Sequence, residues 1–204
     1  RNAGQICFAG TRLVVERKVS DRLVDQVHSI VTNLKPGRTW EYGTTLAPII
    51  SAKQVERIEG ILGRAVSAGA EIRSGGGRID TGNGGTFFQP TIVTGARPDN
   101  PAVAEEIFGP VLAVQNFDDV EEGIHLADHP IYGLGGGVHT ADINKALRAA
   151  RAIQAGTVWV NDYGPTPDVV TPFGGYKQSG FGKDFGVPGL MKFLHSKTVW
   201  IRTH

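Results

Sequence analysis

Cysteine is almost missing from this sequence: Cys7 is the only one in 204 residues. A single cysteine forms no internal disulfide, which excludes a small secreted fold held together by bridges. An excess of charge is missing too, with 21 Lys and Arg against 20 Asp and Glu and no basic run. Nucleic-acid binding and membrane-surface binding therefore have no electrostatic support. No apolar run approaches the roughly 20 residues of a membrane-spanning helix, and the first residues lack the pattern of a signal peptide. The histidines are scattered, at 28, 125, 129, 139, 195 and 204, and no metal site is expected from them. A cytoplasmic location is the default expectation.

A chain of 204 residues suits one large domain, or one domain with an appendage, and can bury a real core. Strand and helix patterns alternate from Leu13 onward. Residues 12–16 read as a strand, followed by a helix that opens at Ser20-Asp21 and carries Leu23, Val27, Ile30, Val31 and Leu34 along one side. Ser51-Ala-Lys-Gln54 has a capping-box pattern and begins a second helix with Val55, Ile58, Leu62, Ala65 and Val66 on one face. Residues 71–74 read as a short strand, and 87–93 as another interrupted at Pro90. The glycine-rich segment 75–85 fits neither common phosphate-loop spacing and is expected to be a turn.

The apolar, β-branched run 111–117 predicts a buried strand, and Asp118 and Asp119 then cap a short helix. Residues 134–138 predict a strand, 142–155 a helix with Ile143, Ala146, Leu147, Ala150 and Ile153 on one side, and 157–160 a further buried strand. The alternation predicts an α/β fold: an open, largely parallel, twisted sheet with flanking helices. A last β-type run at 198–201 stands outside the alternation and needs an edge to pair with.

Cys7 sits in a small-residue turn just before the first strand. A thiolate is both a strong nucleophile and a good leaving group, and a turn that exposes sulfur to backbone N–H groups favours it. The competing account is a small buried hydrophobe, the fate of most free cysteines. Its neighbours decide between the two. Asn2-Ala-Gly-Gln-Ile-Cys7-Phe-Ala-Gly-Thr-Arg12 resembles the nucleophile loop of the aldehyde dehydrogenase superfamily. Four later segments match that family in order: Glu105-Glu-Ile-Phe-Gly-Pro-Val111, Tyr132-Gly-Leu134, Gly156-Thr-Val-Trp-Val-Asn161 and Pro172-Phe-Gly-Gly-Tyr-Lys-Gln-Ser-Gly180.

The resemblance implies a catalytic role for Cys7 as nucleophile. It implies cofactor contacts from Glu106, to the ribose beside a nicotinamide, and from Phe108, near the ring. It places Phe173 in the substrate channel. The cofactor it implies is NAD or NADP, which this portion does not distinguish, and the substrate a small-molecule aldehyde, oxidised to a carboxylic acid through a thiohemiacetal and a thioester. Asn161 is read as a residue that anchors a loop, and Lys177 as an exposed loop lysine. The segment 162–171 resembles the family's substrate-specificity loop. Residues 1–194 are expected to form the cysteine-bearing catalytic domain, and 195–204 a C-terminal oligomerisation strand of a homodimer or homotetramer.

The family also uses a glutamate general base and an oxyanion asparagine, both before the cysteine loop, and a dinucleotide-binding domain. None of these has a counterpart in the 204 residues. The chain is therefore expected to be the later part of a longer enzyme and inactive alone. Two other readings stay open. One is a non-catalytic truncated homologue acting as an assembly module; the other is an acyl-transferring or coenzyme A-dependent relative that uses the same cysteine on acyl phosphates or coenzyme A thioesters.

Overall fold

The computed structural model describes residues 2–82, 84–164 and 168–204, and the chain forms two compact units, 1–129 and 130–204. The first unit begins with a tight turn, Asn2–Gly4, and the strand β1, Arg12–Glu16. Helix α1, Arg17–Val31, follows β1 with no intervening turn. It therefore starts earlier than Ser20-Asp21. Ser20, instead of capping the helix, is buried inside it. Helix α2, Ala52–Ser67, begins where expected, with Ser51 Oγ accepting from the Gln54 N–H at 3.2 Å. Strands β2 (Glu71–Ser74), β3 (Arg78–Ile79), β4 (Phe87–Phe88) and β5 (Thr91–Thr94) come next. The expected strand at 87–93 is thus broken in two around Pro90, which has no N–H for a ladder. The short helix α3, Pro101–Ala104, then leads to β6, Val111–Phe117, and to α4, Val120–Ala127, capped by Asp119.

The main sheet runs β1-β6-β5-β2, parallel at β1/β6 and β5/β6 and antiparallel at β5/β2. Both faces of β6 are covered along its first four residues, which explains the apolar run 111–114 before Gln115 and Asn116. Val111 and Ala113 turn to one face and pack with Ile58, Ile61 and Leu62 of α2. Val114 turns to the other and packs with Val15, Ile92 and Val24 of α1. Each isoleucine buried this deeply contributes about 1.5–3 kcal/mol of transfer free energy. β3 pairs antiparallel with β4, and Arg78 bridges to Glu59 of α2 at 2.7 Å. The Arg78 hydrogen bond holds the Glu59 carboxyl below its ordinary range.

The second unit contains β7 (Tyr132–Gly133), β8 (Gly135–Val138), α5 (Ile143–Ala152), β9 (Thr157–Val160), β10 (Tyr176–Lys177) and α6 (Gly186–Met191). β8 and β9 pair in parallel, and β10 pairs antiparallel with β7. The expected helix at 142–155 is shorter. Its inner side is Ala146, Ala149 and Ile153, while Ile143 and Leu147 are exposed. β9 is half-buried rather than buried. Residues 197–201 form no strand within the chain, and Val199, Trp200 and Ile201 are exposed. Among the described residues no helix is long and apolar enough to cross a membrane.

Candidate active site

Parallel pairing is what brings the first two motifs together. β1 and β6 are neighbours in register, Arg12 opposite Ala113, so the segments that enter them arrive at the same edge of the sheet. One of these segments carries Cys7 and the other carries Glu106 and Phe108. This is the N-terminal edge of the parallel strands, whereas open α/β sheets usually bind ligands at the other end.

The cysteine loop is held in an unusual backbone shape. Asn2, Ala3 and Gly4 have φ of 48°, 49° and 74°, three left-handed residues in succession. For the two that carry a Cβ this costs roughly 1–2 kcal/mol each. Hydrogen bonds offset that cost: Asn2 Nδ2 donates to Gln5 O at 2.9 Å, and Gln5 N donates to Asn2 O at 3.0 Å. Gln5 also fastens the loop to the approach of α2, donating to Pro48 O at 3.1 Å and accepting from Ile50 N at 2.9 Å. Gly4 lies against the other motif. A Cβ there would stand 2.0 Å from Gly109 O, so no larger residue fits without moving one of the two loops.

Cys7 occupies the turn beyond this clamp and is exposed, which removes the account of it as a buried filler. Among the described residues nothing accepts the Cys7 N–H. A free N–H on a cysteine's own backbone is a donor available to any oxyanion formed at a carbon bound to its sulfur.

The segment 105–109 lies along one stripe of α2, the side chains at 54, 57, 61 and 64 that helical spacing aligns. Arg64 Nη2 takes both Glu105 oxygens at 2.8 Å. Arg57 donates to Ile107 O at 2.9 Å, and Gln54 Nε2 donates to Ile107 O at 2.9 Å and to Phe108 O at 3.0 Å. Gln54 thus completes no reciprocal cap at the start of α2; its amide is spent across the fold. Phe108 is half-buried with φ 56°, a conformation a bulky residue keeps only when its surroundings over-determine it. Below it, Gly109 leaves room for Ile58, whose Cδ1 would be 2.5 Å from a Cβ at that position.

The two adjacent glutamates therefore have different fates. Glu105 is tied to Arg64, whereas Glu106 is exposed and accepts no hydrogen bond among the described residues. A free carboxylate with two acceptor oxygens suits a pair of vicinal hydroxyls, so the residues present fit the ribose of a dinucleotide. The long-range bonds of Gln5, Gln54 and Arg57 leave no mark in the sequence pattern, since their partners are main-chain atoms tens of residues away. Replacing Gln54 by Leu is expected to leave Phe108 O without its donor. In the full-length protein this should destabilise by about 1 kcal/mol, read as a lower thermal unfolding temperature.

Phe173 belongs to the second unit and is half-buried. Its N–H donates to Asp184 O at 2.9 Å, and Asp184 N donates back at 2.7 Å. Asn161 follows β9 with φ 56°, its N–H on Val138 O and its Oδ1 accepting from Thr140 N at 2.9 Å. These bonds tie the ends of β8 and β9 together, the anchoring geometry expected of it. Lys177 is exposed. Of the segment 162–171, residues 165–167 lie outside the described residues. His125 and His129 are four apart, yet α4 ends at Ala127 and His129 turns to the Val103 carbonyl at 3.2 Å. Among the described residues no group of three or more His, Cys, Asp or Glu is placed to hold a metal ion.

An exposed cysteine beyond a strained turn and an exposed, unpaired carboxylate, on two loops that enter neighbouring parallel strands at one sheet edge, are what this α/β fold brings together among the described residues. The sequence pattern of the aldehyde dehydrogenase family matches residues 1–199, and this chain belongs to that family. It is 39% identical over 204 residues to a betaine aldehyde dehydrogenase of Bacillus subtilis, covering 99% of this chain and 41% of that protein. It is also 39% identical over 201 residues to an aldehyde dehydrogenase of Emericella nidulans, covering 98% and 40%. A crystal structure of betaine aldehyde dehydrogenase from Staphylococcus aureus in complex with NAD+ superimposes with a TM-score of 0.92 at 40% identity, over 96% of this chain and 39% of that one. The NAD+ complex of an aldehyde dehydrogenase from Bacillus cereus gives 0.93 at 39% identity, over 99% and 40%. The chain spans about two fifths of the length of these relatives.

Proposed function

We propose that, within a full-length protein, this chain carries the nucleophile and part of the cofactor site of an NAD(P)-dependent aldehyde dehydrogenase. The observation that carries the reading is the shared sheet edge: an exposed Cys7 and an unpaired Glu106 on two loops locked together through Gly4 and Gly109. The Cys7 thiolate attacks the aldehyde carbon, forming the C–S bond as the carbonyl π pair moves to oxygen. The Cys7 N–H then donates to that oxygen. The resulting thiohemiacetal loses hydride far more readily than the aldehyde itself, because collapse of the oxyanion re-forms a carbonyl, now that of a thioester. Water adds to the thioester, the acid leaves and Cys7 recovers its thiolate.

Glu106 holds the ribose hydroxyls and Phe108 packs beside the ring. A bound nicotinamide dinucleotide supplies the hydride acceptor. Phe173 lines the aldehyde channel in this reading, and a homo-oligomer forms through 197–201, an exposed apolar run suited to adding onto another chain's sheet. A lone exposed cysteine that must stay reduced suits the cytoplasm.

The experiment is to supply the full-length protein with NAD or NADP and a panel of aldehydes, with and without coenzyme A, and follow the absorbance of the reduced cofactor. Reduction that needs aldehyde and leaves a free carboxylic acid is the expected result. Product formed only with coenzyme A favours the acyl-transferring relative, and no reduction at all favours the assembly module. The 204-residue polypeptide alone is expected to reduce no cofactor, and sustained reduction by it would contradict the assignment of the general base outside these residues.

A further inference from the structure

The Phe173 loop has little side chain of its own to shape it, since two glycines follow the aromatic. A Cβ at Gly174 would meet Gly182 O at 2.4 Å, and one at Gly156 would meet Gly174 O still closer. The loop is therefore held from outside, by the Asp184 main chain on one side and the Gly156 backbone on another. A third hold is a charge. Lys183 is half-buried, and its Nζ donates to Gly174 O at 2.5 Å and, at a longer 3.4 Å, to Gly175 O. The same ammonium lies 4.7 Å from the centroid of the Tyr176 ring. A lysine ammonium is strongly hydrated and normally keeps its head in water. Here it exchanges that water for carbonyls and an aromatic face, at the two residues directly after Phe173.

We propose that Lys183 is a positioning residue for aldehyde binding: its ammonium, seated on the Gly174 carbonyl, fixes the loop that presents Phe173 to the substrate. The inference rests on the reading of Phe173 as a channel residue. Lys183 touches neither the reacting atoms nor the cofactor in this account. Its loss acts on the aldehyde alone, because the loop it holds carries none of the groups assigned to the cofactor or to sulfur.

The test uses the full-length protein with three substitutions. Lys183→Met keeps the apolar stem and deletes the donors, Lys183→Gln keeps one neutral donor, and Phe173→Ala tests the underlying reading. Lys183→Met is expected to raise the aldehyde KM about tenfold, the worth of one charge-assisted hydrogen bond. The KM for NAD and the rate of Cys7 alkylation by iodoacetamide should stay within about twofold of the parent by the same accounting. Lys183→Gln should fall between the two. An unchanged aldehyde KM in Lys183→Met, while Phe173→Ala raises it, overturns the role of Lys183 and leaves Phe173 standing. An unchanged KM in Phe173→Ala removes the channel reading and the proposal with it. If both lysine variants fail to fold, or shift the aldehyde and NAD KM alike, Lys183 is a general support of the fold and the proposal fails.

Discussion

Replacing Cys7 by Ala in the full-length protein is expected to lower aldehyde oxidation by about 10⁴-fold or more, the scale on which removing a covalent nucleophile acts in other enzymes. Without a covalent sulfur the hydride must leave from a carbonyl carbon bearing no extra electron pair to drive it out, and the barrier returns to that of the free aldehyde. The structure adds that the loss should be clean. Cys7 is exposed in a turn, belongs to neither core cluster and accepts no structural load from its neighbours. Cofactor binding and the thermal unfolding temperature of Cys7→Ala should therefore match those of the parent. A variant that loses activity and stability together would point to a structural cysteine instead.

The second large effect is expected at Gly4. With φ at 74° and a would-be Cβ 2.0 Å from Gly109 O, alanine at this position meets two penalties at once. The left-handed backbone costs roughly 1–2 kcal/mol for a residue with a Cβ, and the collision with main chain adds about 1–3 kcal/mol of overpacking. The second penalty is relieved only by moving the cysteine loop away from the segment 105–109. Displacing reacting groups by ~1 Å can cost about 10²-fold in rate. Gly4→Ala should therefore lower kcat/KM about 10²-fold and also lower the unfolding temperature, in contrast to Cys7→Ala. Measured kinetics and melting of the two variants side by side separate chemistry from architecture. Parent-like behaviour of Gly4→Ala would mean that the two loops are not locked as described.

Much of the fold was legible because local pattern and burial agree. The run 111–114 at the start of β6 is apolar because α2 and α1 cover its two faces, and Ser51 caps α2 as its sequence suggests. Legibility failed where tertiary context decides. Helix α1 grows straight out of β1, so Ser20 and Asp21, good capping residues, are inside the helix instead of at its start. Ile143 and Leu147 sit at the right helical spacing for a core face, yet the buried side of α5 is the alanine side. For the site, motif residues could be picked out one by one: Cys7, Glu106, Phe108 and Phe173. Their supports could not. That Glu105 is bound to Arg64 while Glu106 stays free depends on the face α2 presents to the segment, and the left-handed Phe108 is visible only in its backbone. The capping-box spacing marks Gln54 for the start of α2, yet its amide bonds to the carbonyls of Ile107 and Phe108. No period or spacing marks these long-range bonds, or those of Gln5 and Lys183, because their partners are main-chain atoms that every residue has.

The central claim is that sulfur at position 7 becomes covalently joined to the substrate carbon during turnover. Rapid acid quenching of the full-length protein mixed with aldehyde and NAD, followed by mass spectrometry of the peptide containing Cys7, tests it most directly. The account predicts an acyl adduct on Cys7 that forms only when cofactor is present and disappears as free acid is released. An enzyme that turns over steadily while the Cys7 peptide keeps its unmodified mass at every quench time would contradict it.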